Sequence, residues 1–116
     1  MTTEFDSFGL HPQIVQAITE LGFATPTPIQ TGMIPLMLSG ADVIGQAQTG
    51  TGKTAAFALP ILQNLEPDQK LPQALVLAPT RELAMQVADA FYQYGKHLGA
   101  RVLASGFTIF RPTWAD

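Results

Sequence analysis

The sequence contains no cysteine, which excludes disulfides, thiol catalysis and cysteine-ligated zinc. It is also poor in charge: Asp, Glu, Lys and Arg make up 13% of its 116 residues, against the ~25% usual in soluble domains. Positive charge is the scarcer sign, with six Lys+Arg against nine Asp+Glu and a net charge of −3. Bulk electrostatics therefore do not favour a polyanion, and any nucleic-acid contact has to be local. No apolar run approaches the ~18 residues of a membrane span. The start, Met1-Thr2-Thr3-Glu4-Phe5-Asp6, has neither the basic nor the apolar region of a signal peptide. A soluble, cytoplasmic protein is the expectation. Apolar residues are plentiful at 47%, enough for the core of about one domain. With so little charge, part of the surface is expected to be covered by further structure.

Hydrophobic periodicity alternates between two kinds of element. Pro12 sits where a first helical turn tolerates it, Ile14, Val15, Ile18 and Leu21 follow at helical spacing, and Gly22 ends the run. Residues 28–39 read as a second helix with Ile29, Met33, Leu36 and Met37 on one side, a kink at Pro35 and a stop at Gly40. Asp42-Val43-Ile44-Gly45 and Ala74-Leu75-Val76-Leu77-Ala78 read as buried strands, and Arg101-Val102-Leu103-Ala104 starts another. A helix with an internal Pro60 is predicted over 53–64. A second follows Thr80, an N-cap, with Leu83, Ala84, Val87, Phe91, Tyr94 and Leu98 as its apolar stripe and Gly99 as its end. Lys96 and His97 are expected to complement that helix C-terminus. Alternating strands and helices predict an α/β fold with a parallel sheet. Residues 105–116 hold Phe107, Ile109, Phe110 and Trp114 but predict no further element.

The strongest motif is Ala47-Gln48-Thr49-Gly50-Thr51-Gly52-Lys53-Thr54, a Walker A pattern with Ala47 where the strict form has Gly. It lies between an apolar run and a helix, the context this loop requires. Gly50 and Gly52 let backbone N–H groups turn into a concavity, and the following helix adds its N-terminal dipole. Lys53 suits the β- and γ-phosphates, and the Thr54 hydroxyl suits Mg²⁺. An ordinary Gly/Thr turn is the plainer reading.

The flanks choose among nucleotide-binding families. Gly22-Phe23-Ala24-Thr25-Pro26-Thr27-Pro28-Ile29-Gln30 resembles the Q motif of DEAD-box RNA helicases. Phe5 lies upstream at the spacing of that family's isolated aromatic, and Pro79-Thr80-Arg81-Glu82-Leu83-Ala84 is similar to its motif Ia. The resemblance covers about residues 5–104. It implies a RecA-like P-loop fold, ATP and Mg²⁺ as cofactors and RNA as partner. It implies that Gln30 reads the adenine edge, which its amide can do by donating and accepting at once. It implies that Phe5 stacks on the base, that Phe23 and Thr25 belong to the same cofactor site, and that Pro79, Thr80 and Arg81 contact the RNA backbone. The plainer readings are a core aromatic for Phe5, a solvated helix residue for Gln30, and a cap followed by a surface Arg for Thr80 and Arg81. His11 and His97 are lone histidines with no acidic residue at metal-ligand spacing.

The chain then divides into a Q-motif helical region at 1–40, a partial RecA-like ATP-binding region at 41–104, and a tail at 105–116 outside the resemblance. The resemblance implies a Walker B acidic pair and a second RecA-like domain, and no apolar run in these residues ends in such a pair. The expected function is the ATP-binding N-terminal part of a DEAD-box RNA helicase. The alternatives are a non-catalytic or interfering nucleotide-binding module, and another P-loop enzyme such as a small-molecule kinase. A truncated parallel sheet has bare edges, so self-association through an edge or the apolar tail is expected.

Overall fold

The computed structural model describes residues 4–46, 52–66, 71–103 and 108–110. The chain enters through a 3-10 turn, Glu4–Phe8, and continues into α1 (Pro12–Glu20) and α2 (Pro28–Leu38). Next come α3 (Lys53–Gln63), β1 (Ala74–Leu75) and α4 (Arg81–Gly95). A short 3-10 turn, Lys96–Leu98, leads to β2 (Arg101–Leu103) and β3 (Thr108–Phe110).

The helices form where local sequence directs them. Pro12 opens α1, and Ile14, Ala17 and Ile18 are buried at helical spacing. Gly22, at φ +91°, closes it: the Gly22 N–H donates to Thr19 C=O and the Phe23 N–H to Ile18 C=O, the paired bonds of a Schellman end. That end turns Phe23 back onto the core. Thr80 caps α4 as predicted, its hydroxyl accepting from the Leu83 N–H at 3.1 Å.

α3 is the centre of the molecule and packs against α2 on one side and α4 on the other, while α1 packs on α4. Ala55, Ala56, Ala58, Leu59, Pro60 and Leu62 are all buried, so α3 is covered nearly all round. Its alanines let the neighbouring helices approach. Val87, Ala88, Phe91 and Gly95 bring α4 to the same core. At Gly95 a Cβ would stand 2.9 Å from Leu62 Cδ2, so the α3–α4 crossing fits no larger residue without a shift.

One helix turns a different face inward. On α2 the buried residues are Gln30 and Ile34, and Leu36, predicted on the inner side, is exposed. The helix is apolar on most sides, so periodicity alone does not choose a face. The contact with α3 does. Both internal prolines, Pro35 and Pro60, lie within continuous helices.

The sheet departs most from expectation. β3 lies between β1 and β2 and is antiparallel to both, with Ala74 opposite Ile109 and Val102 opposite Ile109 from the other side. The predicted parallel sheet is thus replaced by a small antiparallel one, in which a tail expected to form nothing supplies the middle strand. β2 and β3 are adjacent in sequence across a four-residue connection, a hairpin separation that is quick to close and needs no crossover helix. Residues 42–45 form no strand, and Ile44 is 96% exposed. A strand gains nothing without a ladder, and among the described residues β1 and β2 are both paired to β3. Among the described residues the predicted strand over 74–78 pairs only at Ala74 and Leu75, though its alternation survives beyond them: Ala74 and Val76 pack on the core while Leu75 and Leu77 face away.

Candidate nucleotide site

Predicted site residues meet at the junction of α2 with the start of α3. Gly52 precedes α3 in the left-handed conformation at φ +79°. A Cβ there would run into Gln30 Nε2 and stand 3.2 Å from Thr27 Oγ1, so glycine is required both by conformation and by space. Gln30 is 2% exposed rather than solvated. Its Oε1 accepts from the Thr27 N–H at 2.9 Å, the return half of a capping box, and its Nε2 donates to the Gly52 C=O at 3.1 Å. One amide therefore ties the start of α2 to the start of α3. The Thr27 hydroxyl beside them is buried and makes no hydrogen bond, which costs about 1–3 kcal/mol for a buried polar group.

Lys53 is exposed and Thr54 half-buried on the first turn of α3. The remaining predicted phosphate-loop residues, Ala47, Gln48, Thr49, Gly50 and Thr51, lie outside the described residues. Thr25 is exposed in the connection before α2.

The aromatic residues form a row. Phe5 meets Phe8 at 6.0 Å and Phe23 at 5.9 Å between ring centroids, and Phe23 meets Tyr94 of α4 at 5.8 Å. Such pairs stabilise by about 0.5–1.5 kcal/mol beyond their burial. Phe5 is 1% exposed, so in this conformation it is a core aromatic and its ring is not open to a base. Burying an aromatic ring against two others is a larger gain than leaving it at the surface. Phe23 is half-buried and lies on the outer side of Phe5. Burial also pushes the Tyr94 hydroxyl pKa up.

A profile of the DEAD/DEAH box helicase family matches residues 27–110. The chain belongs to the DEAD/DEAH box helicase family. ATP-dependent RNA helicase DeaD of Escherichia coli (strain K12) is 56% identical over 103 residues, which are 88% of this chain and 16% of that protein. The protein of the same name from Mycobacterium tuberculosis (strain CDC 1551 / Oshkosh) is 54% identical over 94 residues, 81% of this chain and 17% of that one. Among solved structures, S. cerevisiae Dbp5 bound to RNA and ADP BeF3 matches with a TM-score of 0.78 and 41% identity, over 83% of this chain and 25% of that one. Prp28 from Chaetomium thermophilum bound to ADP matches with a TM-score of 0.76 and 39% identity, over 89% and 26%. The chain thus spans about a sixth of the curated relatives it matches and about a quarter of the solved chains. The family match runs to Phe110, beyond the point near Leu103 where the sequence motifs end, and takes in β3.

DEAD-box helicases use ATP, typically with Mg²⁺, and the junction fits such a group on three counts. A helix N-terminus carries Lys53 and Thr54, its cap is a left-handed glycine, and an unpartnered hydroxyl lies beside that glycine. Among the described residues no cluster of three or more His, Asp or Glu could hold a metal by itself. Of the motif Ia residues, Pro79, Thr80 and Arg81 are exposed at the start of α4, with the Thr80 hydroxyl engaged as the cap.

Two features went unseen in the sequence. Lys96 and His97 lie in the 3-10 turn after α4 and meet α1: His97 Nε2 lies 2.9 Å and Lys96 Nζ 3.6 Å from Glu20 Oε1 at the end of that helix. The hydrogen bond from His97 does most to hold the Glu20 carboxyl below its usual range; desolvation opposes it, and the charges of His97 and Lys96 add to the lowering. Gln63, the last residue of α3, also bonds across the fold to residues 9 and 11. Neither contact leaves a local signature, since the partners stand more than fifty positions apart. Among the described residues no helix is long and apolar enough to cross a membrane.

Proposed function

We propose that this chain is the ATP-binding, N-terminal RecA-like part of a DEAD-box RNA helicase. The observation that carries the reading is the Gln30 amide, which joins the Q-motif segment to the last glycine of the phosphate loop. Its acceptor and donor are taken by the Thr27 N–H and the Gly52 C=O at 2% exposure, and Gln30 would meet the matching donor and acceptor on one edge of adenine by exchanging those bonds for the base. Lys53 and the N-terminus of α3 would hold the β- and γ-phosphates, and Thr54 would give its hydroxyl to Mg²⁺. ATP supplies the transferable γ-phosphoryl group. Phe23, backed by Phe5 from within the core, and Thr25 would border the base.

Pro79, Thr80 and Arg81 would meet RNA phosphates at the α4 N-terminus, as local contacts on a chain of net charge −3. The relative bound to RNA and ADP BeF3 supports that partner. No apolar strand in the sequence ends in an acidic pair to hold the metal and position the attacking water. The chain therefore binds ATP and turns it over poorly by itself. RNA unwinding belongs to a protein that supplies the remaining motifs.

The test is competition against a fluorescent ATP analogue. Binding displaced by ATP, and abolished by Lys53→Ala, is expected. A Lys53→Ala variant that binds as well as wild type would overturn the reading. RNA-stimulated ATP hydrolysis above background would eliminate the alternative of a non-catalytic or interfering module.

A further inference from the structure

Gln63 stands at the opposite end of α3 from Lys53, ten residues and ~15 Å along the helix. It is too far along to meet the phosphate end. Its carboxamide instead grips the entrance of the chain. The His11 N–H donates to Gln63 Oε1 at 2.7 Å, and Gln63 Nε2 donates to the Gly9 C=O at 3.5 Å. Gly9, at φ +76°, ends the 3-10 turn that carries Phe5 and Phe8, and His11 is the residue before α1. The stretch between the aromatic turn and α1 is thereby fixed to the same helix whose first turn presents Lys53 and Thr54. The short bond is the main one, because 3.5 Å is at the limit of useful geometry.

We propose that Gln63 is a positioning residue for the adenine end of the nucleotide site. It fixes the Phe5 turn, and through the Phe5–Phe23 contact the aromatic wall, in register with α3. The inference rests on the nucleotide-binding reading above. A wall held in place before binding leaves less order to impose when the base arrives. Loosening it should weaken recognition of the base and leave recognition of the phosphates alone.

The experiment measures displacement of a fluorescent ATP analogue by ATP, GTP and inorganic tripolyphosphate, with thermal melting as the folding control. Gln63→Met keeps the length of the side chain and removes the acceptor. His11→Pro removes the donor instead: His11 already has φ −55°, which proline adopts, and its C=O still accepts from Ile14 and Val15. Gln63→Glu keeps the acceptor of the 2.7 Å bond and loses only the donor of the long one. Both Gln63→Met and His11→Pro should bind ATP about three- to tenfold more weakly, the effect of one hydrogen bond. Their ATP-over-GTP preference should fall by the same factor, with tripolyphosphate unchanged. Gln63→Glu should stay close to wild type. Should Gln63→Met fail to fold, His11→Pro decides, since it leaves α3 untouched. Wild-type ATP affinity in the variants would overturn the proposal, and so would an equal loss for tripolyphosphate, which marks a merely structural role. Wild-type protein that does not prefer ATP to GTP would overturn the parent reading first, and this one with it.

Discussion

The helical half of the molecule and the strand half obey different rules. α1 to α4 appear where periodicity and caps place them, and they bury Phe5, Ile14, Ile34, Leu59, Leu62 and Phe91 in one core. The described strand segments form only eight residues of ladder across β1, β2 and β3, in an unexpected order and direction. A helix satisfies its backbone within itself, so each one needs only an apolar neighbour. A strand needs hydrogen-bond partners from elsewhere in the chain, and it accepts whichever segment arrives. Here the segment is Thr108–Phe110, and the strand expected at 42–45 is left without a ladder.

The strongest way to break this contrast is a large-to-small change in each half. Phe91→Ala, in the α3–α4 core and 0% exposed, should cost about 3–5 kcal/mol in urea unfolding. A loss under 1 kcal/mol would mean the helices do not share a core. Removing the α4 cap with Thr80→Ala should cost about 1 kcal/mol, measured the same way, because the Leu83 N–H loses its acceptor. In the strand half, Leu77→Ser should change stability by less than about 0.5 kcal/mol, since Leu77 is 85% exposed. The same substitution should reduce any concentration-dependent association seen by sedimentation, because it removes apolar surface from the bare face of that segment. Unchanged association would place the contact elsewhere.

The smallest expected effect is electrostatic. Glu20 has its carboxyl pKa lowered by His97 and Lys96, so its contribution is present above the unfolded carboxyl range and lost as pH falls through the lowered folded value. The stability gap between wild type and Glu20→Gln should be slight near neutrality, given the exposure of the pair, and should close as pH drops below 4.5. A gap that widened on acidification would contradict the assignment.

Most of what the sequence made legible was local. Pro12, Gly22 and Thr80 mark helix ends by chemistry that acts within a few residues. The inner face of α2 was not legible, because Ile29, Met33, Leu36 and Met37 compete with Ile34 on a helix that is apolar on most sides. The tail strand had a signal, Ser105-Gly106 between two apolar runs of hairpin spacing, but a parallel sheet leaves no place for a hairpin. At the candidate site, Gly52, Lys53, Thr54 and Gln30 follow from motif spacing. The burial of Gln30 against Gly52, the withdrawal of Phe5 into the core and the grip of Gln63 on residues 9 and 11 depend on packing between distant segments.

The central claim is that Gln30 gives this chain an adenine-specific nucleotide site at the start of α3. Calorimetric titration of wild type and Gln30→Glu with ATP and with GTP tests it directly. The carboxylate can still accept from the Thr27 N–H but has no proton to donate to Gly52 or to the base. Wild type should bind ATP at least about tenfold more tightly than GTP, and Gln30→Glu should lose that preference. Equal binding of the two nucleotides by wild type, or an undiminished preference in Gln30→Glu, would contradict it.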